Sequence, residues 1–421
     1  MGNHNQRRAI RLIVAAFAVP ILAFLPGCSG TGANGSLGSN SAPPPPVLRW
    51  VASSGSFYIS DTTNQVVRSV SGGVISTFGG NHTLGRGYSG DAAAATAAQL
   101  SEPASVTMDS VGNLMITDQT NQVIRMIPQV SGTYYGVAMT AGNIYTVAGN
   151  HALGHGYSGD GGAATSAKLY FPIGITVDSS SNLYIADTIN NVVRKVDTIG
   201  NISTVAGNHG LGAGYSGDGG AATSAQLRYP AGVAADSSGN VYIAEKNNNV
   251  IRKVDATTGN ISTVAGNQGL GQGYSGDGAV ATSAQLRFPM DVAVDSSGSL
   301  VVADTANNVV RIVPHSSGTY FGIVMTAGNI YTVAGNNALG QGYSGDGAAA
   351  INAQLKQPNA VSIDSTGQIY ISDRGNMVIR KVDLTGNIST VAGNNGLGAG
   401  FSGDGAAATS AQINNPFEDY D

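Results

Sequence analysis

The chain of 421 residues has one cysteine, one tryptophan and few charges, since Asp, Glu, Lys and Arg make up only 11% of it. A single thiol forms no internal disulfide, so packing must hold the fold together. Removing Arg7, Arg8 and Arg11 with the first 27 residues leaves 17 basic against 25 acidic residues, a formal charge of −8. No Lys/Arg cluster with interleaved aromatics appears, although nucleic-acid binding needs a basic surface. We therefore expect no nucleic-acid partner.

Residues 1–27 have the pattern of a bacterial signal peptide. Three arginines precede an apolar run, Leu12 to Leu25, which is too short and too broken to span a membrane comfortably. Leu25 and Gly27 resemble the lipobox before Cys28, with Pro26 as an unusual occupant. The prediction is a lipid anchor on Cys28 and a place at the bacterial cell envelope, at the outer membrane in a two-membrane bacterium. A secretory signal with an incidental cysteine, and hence a secreted protein, is the alternative.

Residues 28–45 are rich in Gly, Ser, Asn and Pro and contain little that could be buried. This composition predicts a flexible tether that ends in a stiff proline run. It would hold a folded domain away from a membrane, which the protein would contact through its lipid only.

The rest of the chain repeats one unit six times. The clearest copy, Pro230 to Asn267, has four short runs of Val, Ile, Tyr and Thr separated by turn residues, which predicts a four-stranded antiparallel meander. Its strands are apolar at successive positions, so neighbours must cover both faces. The units begin at Pro46, Pro103, Pro172, Pro230, Pro289 and Pro358, which are 57, 69, 58, 59 and 69 residues apart.

This spacing predicts an all-β fold, a six-bladed β-propeller over residues 46–415, because a ring of blades covers every face and leaves only short edges. The two 69-residue steps lie three units apart, which indicates that a three-blade module was duplicated. We expect a monomer.

The string GYSGDGGAATSAQLRYPAGVAADSSGNVYIAEKNNNVIRKVD closely resembles the NHL repeat, in the long-looped form of bacterial extracytoplasmic proteins and of the teneurin propeller. The resemblance covers residues 46–415. It implies a propeller used chiefly for binding. We therefore predict a non-catalytic scaffold that binds a protein or a glycan and carries no cofactor. The alternative is a hydrolase or lyase, similar to gluconolactonases or NHL lyases, with a metal in the central channel.

An acid ends the second strand of each unit, and an arginine follows it seven residues later. Across the hairpin, Asp187 should face Val192 and Ile185 should face Arg194, so that acid and arginine share one face. Six copies favour a structural ion pair over catalysis. The pairs are Asp61 and Arg68, Asp118 and Arg125, Asp187 and Arg194, Glu245 and Arg252, Asp304 and Arg311, and Asp373 and Arg380.

A Gly-rich loop with one aspartate, G-Y-S-G-D-G, joins successive blades. We expect its carboxylate to cap the Ala-rich turn that follows. A calcium site is the alternative, but one Asp per loop supplies too few ligands for calcium. The aspartates are Asp91, Asp160, Asp218, Asp277, Asp346 and Asp404. Zinc binding by His82, His151 and His209 is disfavoured, because their position after the outermost strand separates them.

Units two and five carry near-identical insertions between their third and fourth strands, Gln129 to Asn143 and Ser316 to Asn329. We expect them on the face opposite the G-Y-S-G-D-G loops. Their aromatics either pad a longer hairpin or form exposed contacts for a partner. These residues are Tyr134, Tyr135, Tyr320 and Phe321.

Asp291 and Asn359 replace small or apolar residues on the innermost strands and are the candidate channel residues. They are too few for a convincing hydrolase site. For ring closure, the sequence predicts that Val47 to Val51 forms the inner strand of blade one. Residues 416–421 would then cross the seam between blades six and one, with Phe417 as their anchor.

Overall fold

Runs of Val, Ile, Tyr and Thr form 28 strands in residues 56–415, the part of the chain that the computed structural model describes. Blades one to three contain β1 (Phe57–Asp61), β2 (Val66–Ser71), β3 (Val74–Gly79), β4 (Pro103–Met108), β5 (Leu114–Asp118), β6 (Val123–Ile127), β7 (Gly132–Tyr134), β8 (Val137–Met139), β9 (Tyr145–Ala148), β10 (Pro172–Val177), β11 (Leu183–Asp187), β12 (Val192–Val196) and β13 (Ile202–Ala206).

Blades four to six contain β14 (Pro230–Ala235), β15 (Val241–Glu245), β16 (Val250–Val254), β17 (Ile261–Ala265), β18 (Pro289–Val294), β19 (Leu300–Asp304), β20 (Val309–Val313), β21 (Gly318–Tyr320), β22 (Ile323–Met325), β23 (Tyr331–Ala334), β24 (Pro358–Ile363), β25 (Ile369–Asp373), β26 (Val378–Val382) and β27 (Ile388–Ala392). The two-residue strand β28 (Ala406–Ala407) follows them and pairs with β3 of blade one.

The helical segments of residues 56–415 are three-residue 3₁₀ turns. One set follows the fourth strands: His82–Leu84, His151–Leu153, His209–Leu211, Gln268–Leu270, Asn337–Leu339 and Asn395–Leu397. An Ala-rich set ends the long loops: Ala95–Ala97, Ala164–Ser166, Ala222–Ser224, Ala281–Ser283, Ala350–Asn352 and Ala408–Ser410. A third set joins second and third strands: Thr62–Asn64, Lys246–Asn248, Thr305–Asn307 and Arg374–Asn376.

Each blade is an antiparallel meander, as in the strand order β10-β11-β12-β13, and the six blades form the predicted all-β propeller. The insertions of blades two and five form separate hairpins, β7-β8 and β21-β22. First strands of neighbouring blades contact one another around the centre, as β10 does with β4 and β14.

Six layers of the hydrophobic core lie between neighbouring blades, because every sheet is apolar on both faces. Met115 and Met126 of blade two pack with Ile185 of blade three, for example. The last layer joins blade six to blade one through Tyr370, which packs with Phe57. The ring is therefore closed within residues 56–415.

The long loops cover the outer edges of the blades. The Gly161 amide donates to the Ile202 carbonyl (2.8 Å), and the Ile202 amide donates to the Gly162 carbonyl (2.9 Å), so a loop pairs with the outer strand of the next blade. Exposed strand edges invite association with other chains, which this pairing prevents. A glycine begins each loop because a Cβ at Gly149 would lie 2.3 Å from the Gln122 carbonyl oxygen.

Several predictions concern residues outside the described range. They are the signal peptide 1–27, Cys28 and the tether 28–45, the inner strand Val47 to Val51, and the tail 416–421 with Phe417. Among residues 56–415, none of the helices is long and apolar enough to span a membrane.

Candidate functional site

The hairpin arginine of each blade is completely buried beside the hairpin acid. The register is the predicted one, with Ile185 opposite Arg194 and Asp187 opposite Val192. In all six blades the guanidinium lies 3.3–3.7 Å from the hairpin acid, and both side chains have 0% exposure.

A second acid approaches the same arginine more closely. In blade three, Asp160 of the preceding loop accepts from the Arg194 guanidinium at 2.6 Å, and the other five loop aspartates lie 2.6–2.7 Å from their guanidinium groups. The two recurring sequence features therefore form one cluster per blade. We call the hairpin acid, the arginine and the loop aspartate of a blade its arginine triad.

An aromatic ring lies against the arginine of each triad. The Arg194 guanidinium lies 4.8 Å from the centre of the Tyr157 ring, a cation–π distance. The Tyr157 hydroxyl donates to Asp160 (2.9 Å) and lies 2.8 Å from Thr204 Oγ1. The six triads carry the same ring at 4.8–5.2 Å, with Phe401 in place of tyrosine at the blade-one triad.

The loop aspartates do not cap the Ala-rich turns, so that expectation is wrong. The turn at Ala164–Ser166 has Ala163 at its N-cap and no side-chain cap. The Asp160 carboxylate instead faces a full positive charge on Arg194, which outcompetes neutral amides. The same geometry argues against calcium, because a guanidinium already takes the place beside this carboxylate that a cation would need.

One guanidinium is shared by two carboxylates in each triad, and this affects their protonation. Burial raises the pKa of Asp61, Asp118, Asp187 and Asp373 to about 6 and that of Glu245 and Asp304 to about 7. At Asp160 burial acts upward too, but the Thr204 hydrogen bond and the Arg194 charge lower the pKa below its usual value. The deeply buried acid is therefore the one that binds a proton first.

The blade-one triad closes the ring. Its loop aspartate is Asp404, near the C-terminus, which lies 2.6 Å from the Arg68 guanidinium. The Asn414 amide donates to Asp61 (2.8 Å), and Ile413 is fully buried between blades six and one. Residues 400–414 thus form a contact across the seam between blades six and one. They precede residues 416–421, for which the sequence predicted that role.

The three histidines lie apart, each against an aromatic ring of the preceding loop. His151 stacks on Tyr88 with ring centres 4.3 Å apart, and His209 stacks on Tyr157 at 4.2 Å. His82 stacks on Phe401 in the same way. Within residues 56–415 no three His, Cys, Asp or Glu side chains are grouped so that they could hold a metal ion.

The insertion aromatics pack against the following blade. Tyr135 is only 6% exposed and donates from its hydroxyl to the Ser181 carbonyl of blade three (3.0 Å), so the hypothesis that it is an exposed partner contact is wrong. Tyr134, Tyr320 and Phe321 are half-buried and pack on the same interblade cores. Padding of a longer hairpin describes these residues better, because a neighbouring blade supplies the apolar surface that they cover.

The candidate channel residues are nearly buried. Asp291 accepts from the Val361 amide of the next inner strand (3.1 Å), and Asn359 is 2% exposed. Ala104, Ile173, Ala231 and Met290 come from the inner strands of four successive blades and form one apolar cluster. In this part of the channel apolar side chains meet, and carboxylates do not converge.

A family model described as the teneurin NHL domain matches residues 143–216, 211–274 and 327–415, more than half of the chain. The chain belongs to the teneurin NHL domain family. Human teneurin-1 is 29% identical over 242 residues, and human teneurin-4 is 31% identical over 249. These matches cover 54% and 53% of this chain but only 8% of each teneurin.

The NHL propeller is also similar to a solved structure from Bacteroides thetaiotaomicron, a structural genomics protein of unknown function. The TM-score is 0.51 at 14% identity, and the match covers 87% of this chain and 76% of that one. Such low identity shows a shared fold and no more.

The NHL propeller has one recurring exposed residue that the sequence reasoning missed. A leucine ends the 3₁₀ turn after each fourth strand and is 50–57% exposed in all six units. We call Leu84, Leu153, Leu211, Leu270, Leu339 and Leu397 the leucine ring. The sequence did contain a signal for this residue, because the leucine is kept in all six units while the two positions before it vary. The six strings are GNHTLG, GNHALG, GNHGLG, GNQGLG, GNNALG and GNNGLG.

Proposed function

We propose that this NHL propeller is a non-catalytic scaffold at the bacterial cell envelope that binds a protein partner through the leucine ring. The observation that carries the proposal is the exposure of the same large apolar side chain once per blade. Single exposed leucines are common on protein surfaces, but a set repeated around one rim needs a reason.

The leucines are held on a fixed backbone. The side-chain amide of Gln226 donates to the Leu211 carbonyl (3.1 Å), and Gln285 does the same for Leu270 (3.0 Å). The turns also lie against the connections between second and third strands, since His209 Nδ1 is 3.2 Å from the Asn190 carbonyl oxygen. All six turns follow the same strand end, so the leucines belong to one face of the ring. A partner would therefore meet a pre-organised surface.

The energetics favour a large partner. Burying the exposed half of one leucine gives roughly 1 kcal/mol, while association costs on the order of 4–15 kcal/mol. Several blades must therefore be contacted at once. A protein surface can span several blades, whereas a short glycan covers too little of the ring.

The experiment compares capture of envelope proteins by three forms of the domain 46–421. These are the wild type, a variant with Leu153, Leu211 and Leu270 changed to Gln, and a control with Val111, Ile199 and Val324 changed to Gln. The control residues are 60–80% exposed and lie in the turns and hairpin at the opposite ends of the strands. We expect a partner that the wild type and control capture and the leucine variant loses.

Capture of the same proteins by all three forms, each with an unchanged melting temperature, would overturn the leucine ring as the binding surface. Capture that survives protease digestion of the extract would show a glycan ligand instead.

A second measurement tests the predicted lipid anchor. Metabolic labelling with a fatty-acid analogue should label the wild type and leave Cys28→Ser unlabelled and released from the membrane fraction, and equal labelling would refute lipidation at Cys28.

A further inference from the structure

The insertion hairpin of blade five lies over a cavity that opens between blades five and six. Its volume is about 410 Å³, within the range of small-molecule sites. Val301, Ile312 and Leu384 provide apolar walls, and Phe321 of the hairpin lies at one side. Asp295 and Asp364, from the turns between first and second strands, add two carboxylates. We call this cavity the hairpin pocket.

The equivalent place in blade two shows what such a space accommodates. Tyr135 occupies the position of Phe321 there and is buried, with its hydroxyl donating to the Ser181 carbonyl. Burial, and then the charges of Asp109 and Asp178, raise the pKa of the Tyr135 hydroxyl well above its usual range. These two aspartates are the counterparts of Asp295 and Asp364. An aromatic ring with a proton donor therefore fits this interblade space, where the donor reaches a backbone carbonyl and two carboxylates lie close enough to affect its pKa.

Blade five lacks the groups that fill the space in blade two. Val301 and Ile312, which are 1% and 3% exposed, replace the fully buried Met115 and Met126, so shorter side chains stand at these two positions. Phe321 has no hydroxyl that could make the hydrogen bond of Tyr135 to the next blade.

The acid at the mouth is hydrogen-bonded differently in blade five, where the Ser297 amide, the Ser297 hydroxyl and the Ser299 amide all donate to Oδ1 of Asp295 (2.7–2.8 Å). Asn113 donates its side-chain amide to Asp109 in blade two (2.7 Å), but Ser299 stands at that position beside Asp295. The lining of the hairpin pocket includes no lysine, arginine or histidine. The pocket thus combines an apolar interior with two carboxylates that accept hydrogen bonds from neutral groups and face no cationic side chain of the lining.

We propose that the hairpin pocket binds a small aromatic amine, with its ring between Phe321 and Leu384 above the floor formed by Val301 and Ile312, and its ammonium group facing Asp295 and Asp364. Aromatic rings satisfy the apolar walls, and the cation complements two carboxylates in a place partly shielded from water. The site lies on the opposite side of the propeller from the leucine ring and does not depend on it.

Calorimetric titration with phenethylamine tests the proposal, with 2-phenylethanol and 3-phenylpropionate as neutral and anionic analogues of similar shape. We expect one saturable site for phenethylamine and at least about tenfold weaker binding of both analogues. Absence of saturation below about 10 mM phenethylamine, or equal binding of phenethylamine and 2-phenylethanol, would overturn it.

Two variants locate the site. Val301→Met with Ile312→Met restores the blade-two side chains and should abolish binding, while Phe321→Tyr should weaken it at least about tenfold by letting the ring fill the space as Tyr135 does in blade two. The matched control, Met115→Leu in blade two, should bind like the wild type. Unchanged binding by the blade-five double variant, with a normal melting temperature, would show that the amine binds elsewhere. If that variant does not fold, Phe321→Tyr decides in the same way.

Discussion

The two insertion hairpins have nearly the same sequence and the same strand pairing, yet they pack differently. In blade two, Tyr135 is buried against Met115 and Met126, whereas in blade five Phe321 is half-buried beside Val301 and a cavity. The hairpin backbones still make equivalent close approaches, since Gly200 lies against the Tyr135 carbonyl as Gly386 does against that of Phe321. The backbone arrangement therefore does not depend on how the space beneath it is filled.

The arginine triads show the opposite behaviour, because they are alike in both halves. Arg194 and Arg380 lie three blades apart and have the same partners, each with its hairpin acid at 3.4 Å. Their loop aspartates lie at 2.6 and 2.7 Å. The difference between triads and hairpins indicates that the triads set the position of each loop and blade. The interblade space is then free to diverge towards binding.

The largest effect should come from removing a triad arginine in either half. Arg194→Met and Arg380→Met should each cost about 3–5 kcal/mol of unfolding free energy, because each leaves two carboxylates without their cation. Chemical denaturation measures this, and the exposed Arg228→Met is the control for loss of charge alone. If one half tolerates the change and the other does not, the triads are not equivalent.

Removing the aromatic side chain of each insertion hairpin should destabilise the protein more in blade two than in blade five. Tyr135→Ala should cost about 3–5 kcal/mol because it empties a filled core, whereas Phe321→Ala should cost only roughly 1–2 kcal/mol. Denaturation of the two single variants gives the difference directly. Equal losses would mean that the blade-five cavity is closed in solution.

The sequence could predict features that local spacing determines. Asp187 and Arg194 lie on the two arms of one hairpin, so a seven-residue interval sufficed for the register. Asp160 lies in the loop before blade three, 34 residues from Arg194, and no local rule predicted the path of this Gly-rich loop. Both residues recur in every unit, but their spacing alone did not predict the ion pair between them. The burial of Tyr135 escaped prediction too, because it depends on methionines from other strands and on the neighbouring blade.

The seam between blades six and one offers a smaller test. In the duplicated three-blade arrangement, its counterpart is the junction between blades three and four. Asp404→Ala and Asp218→Ala each remove one charged hydrogen-bond partner of a buried arginine and should cost about 2 kcal/mol. Only at the seam is the loop not followed in sequence by the blade it binds. Hydrogen exchange of the Gly405 amide, which donates to Ile75, should therefore accelerate more in Asp404→Ala than that of Gly219 does in Asp218→Ala. Equal acceleration would show that chain continuity adds nothing to closure.

The smallest effect we expect is a difference in pH dependence between the halves. Burial raises the pKa of Glu245 in blade four to about 7, but that of its counterpart Asp61 in blade one only to about 6. A raised pKa means that the folded protein holds the proton more tightly than the unfolded chain does. The resulting stability is complete below the unfolded pKa and is lost as the pH rises through the folded value.

The melting temperature should therefore fall as the pH rises from 5 to about 7.5, beyond the acid range where loop aspartates such as Asp160 lose their charge. Glu245→Gln should flatten the upper part of that fall, between about pH 6 and 7.5, while Asp61→Asn should flatten the part below about pH 6. Melting curves of the wild type and both variants across this range measure the two windows. If the wild-type melting temperature rises with pH throughout this range, the arginine of each triad keeps both of its carboxylates ionised in the folded protein. Identical curves for the two variants would remove the distinction between blade four and blade one.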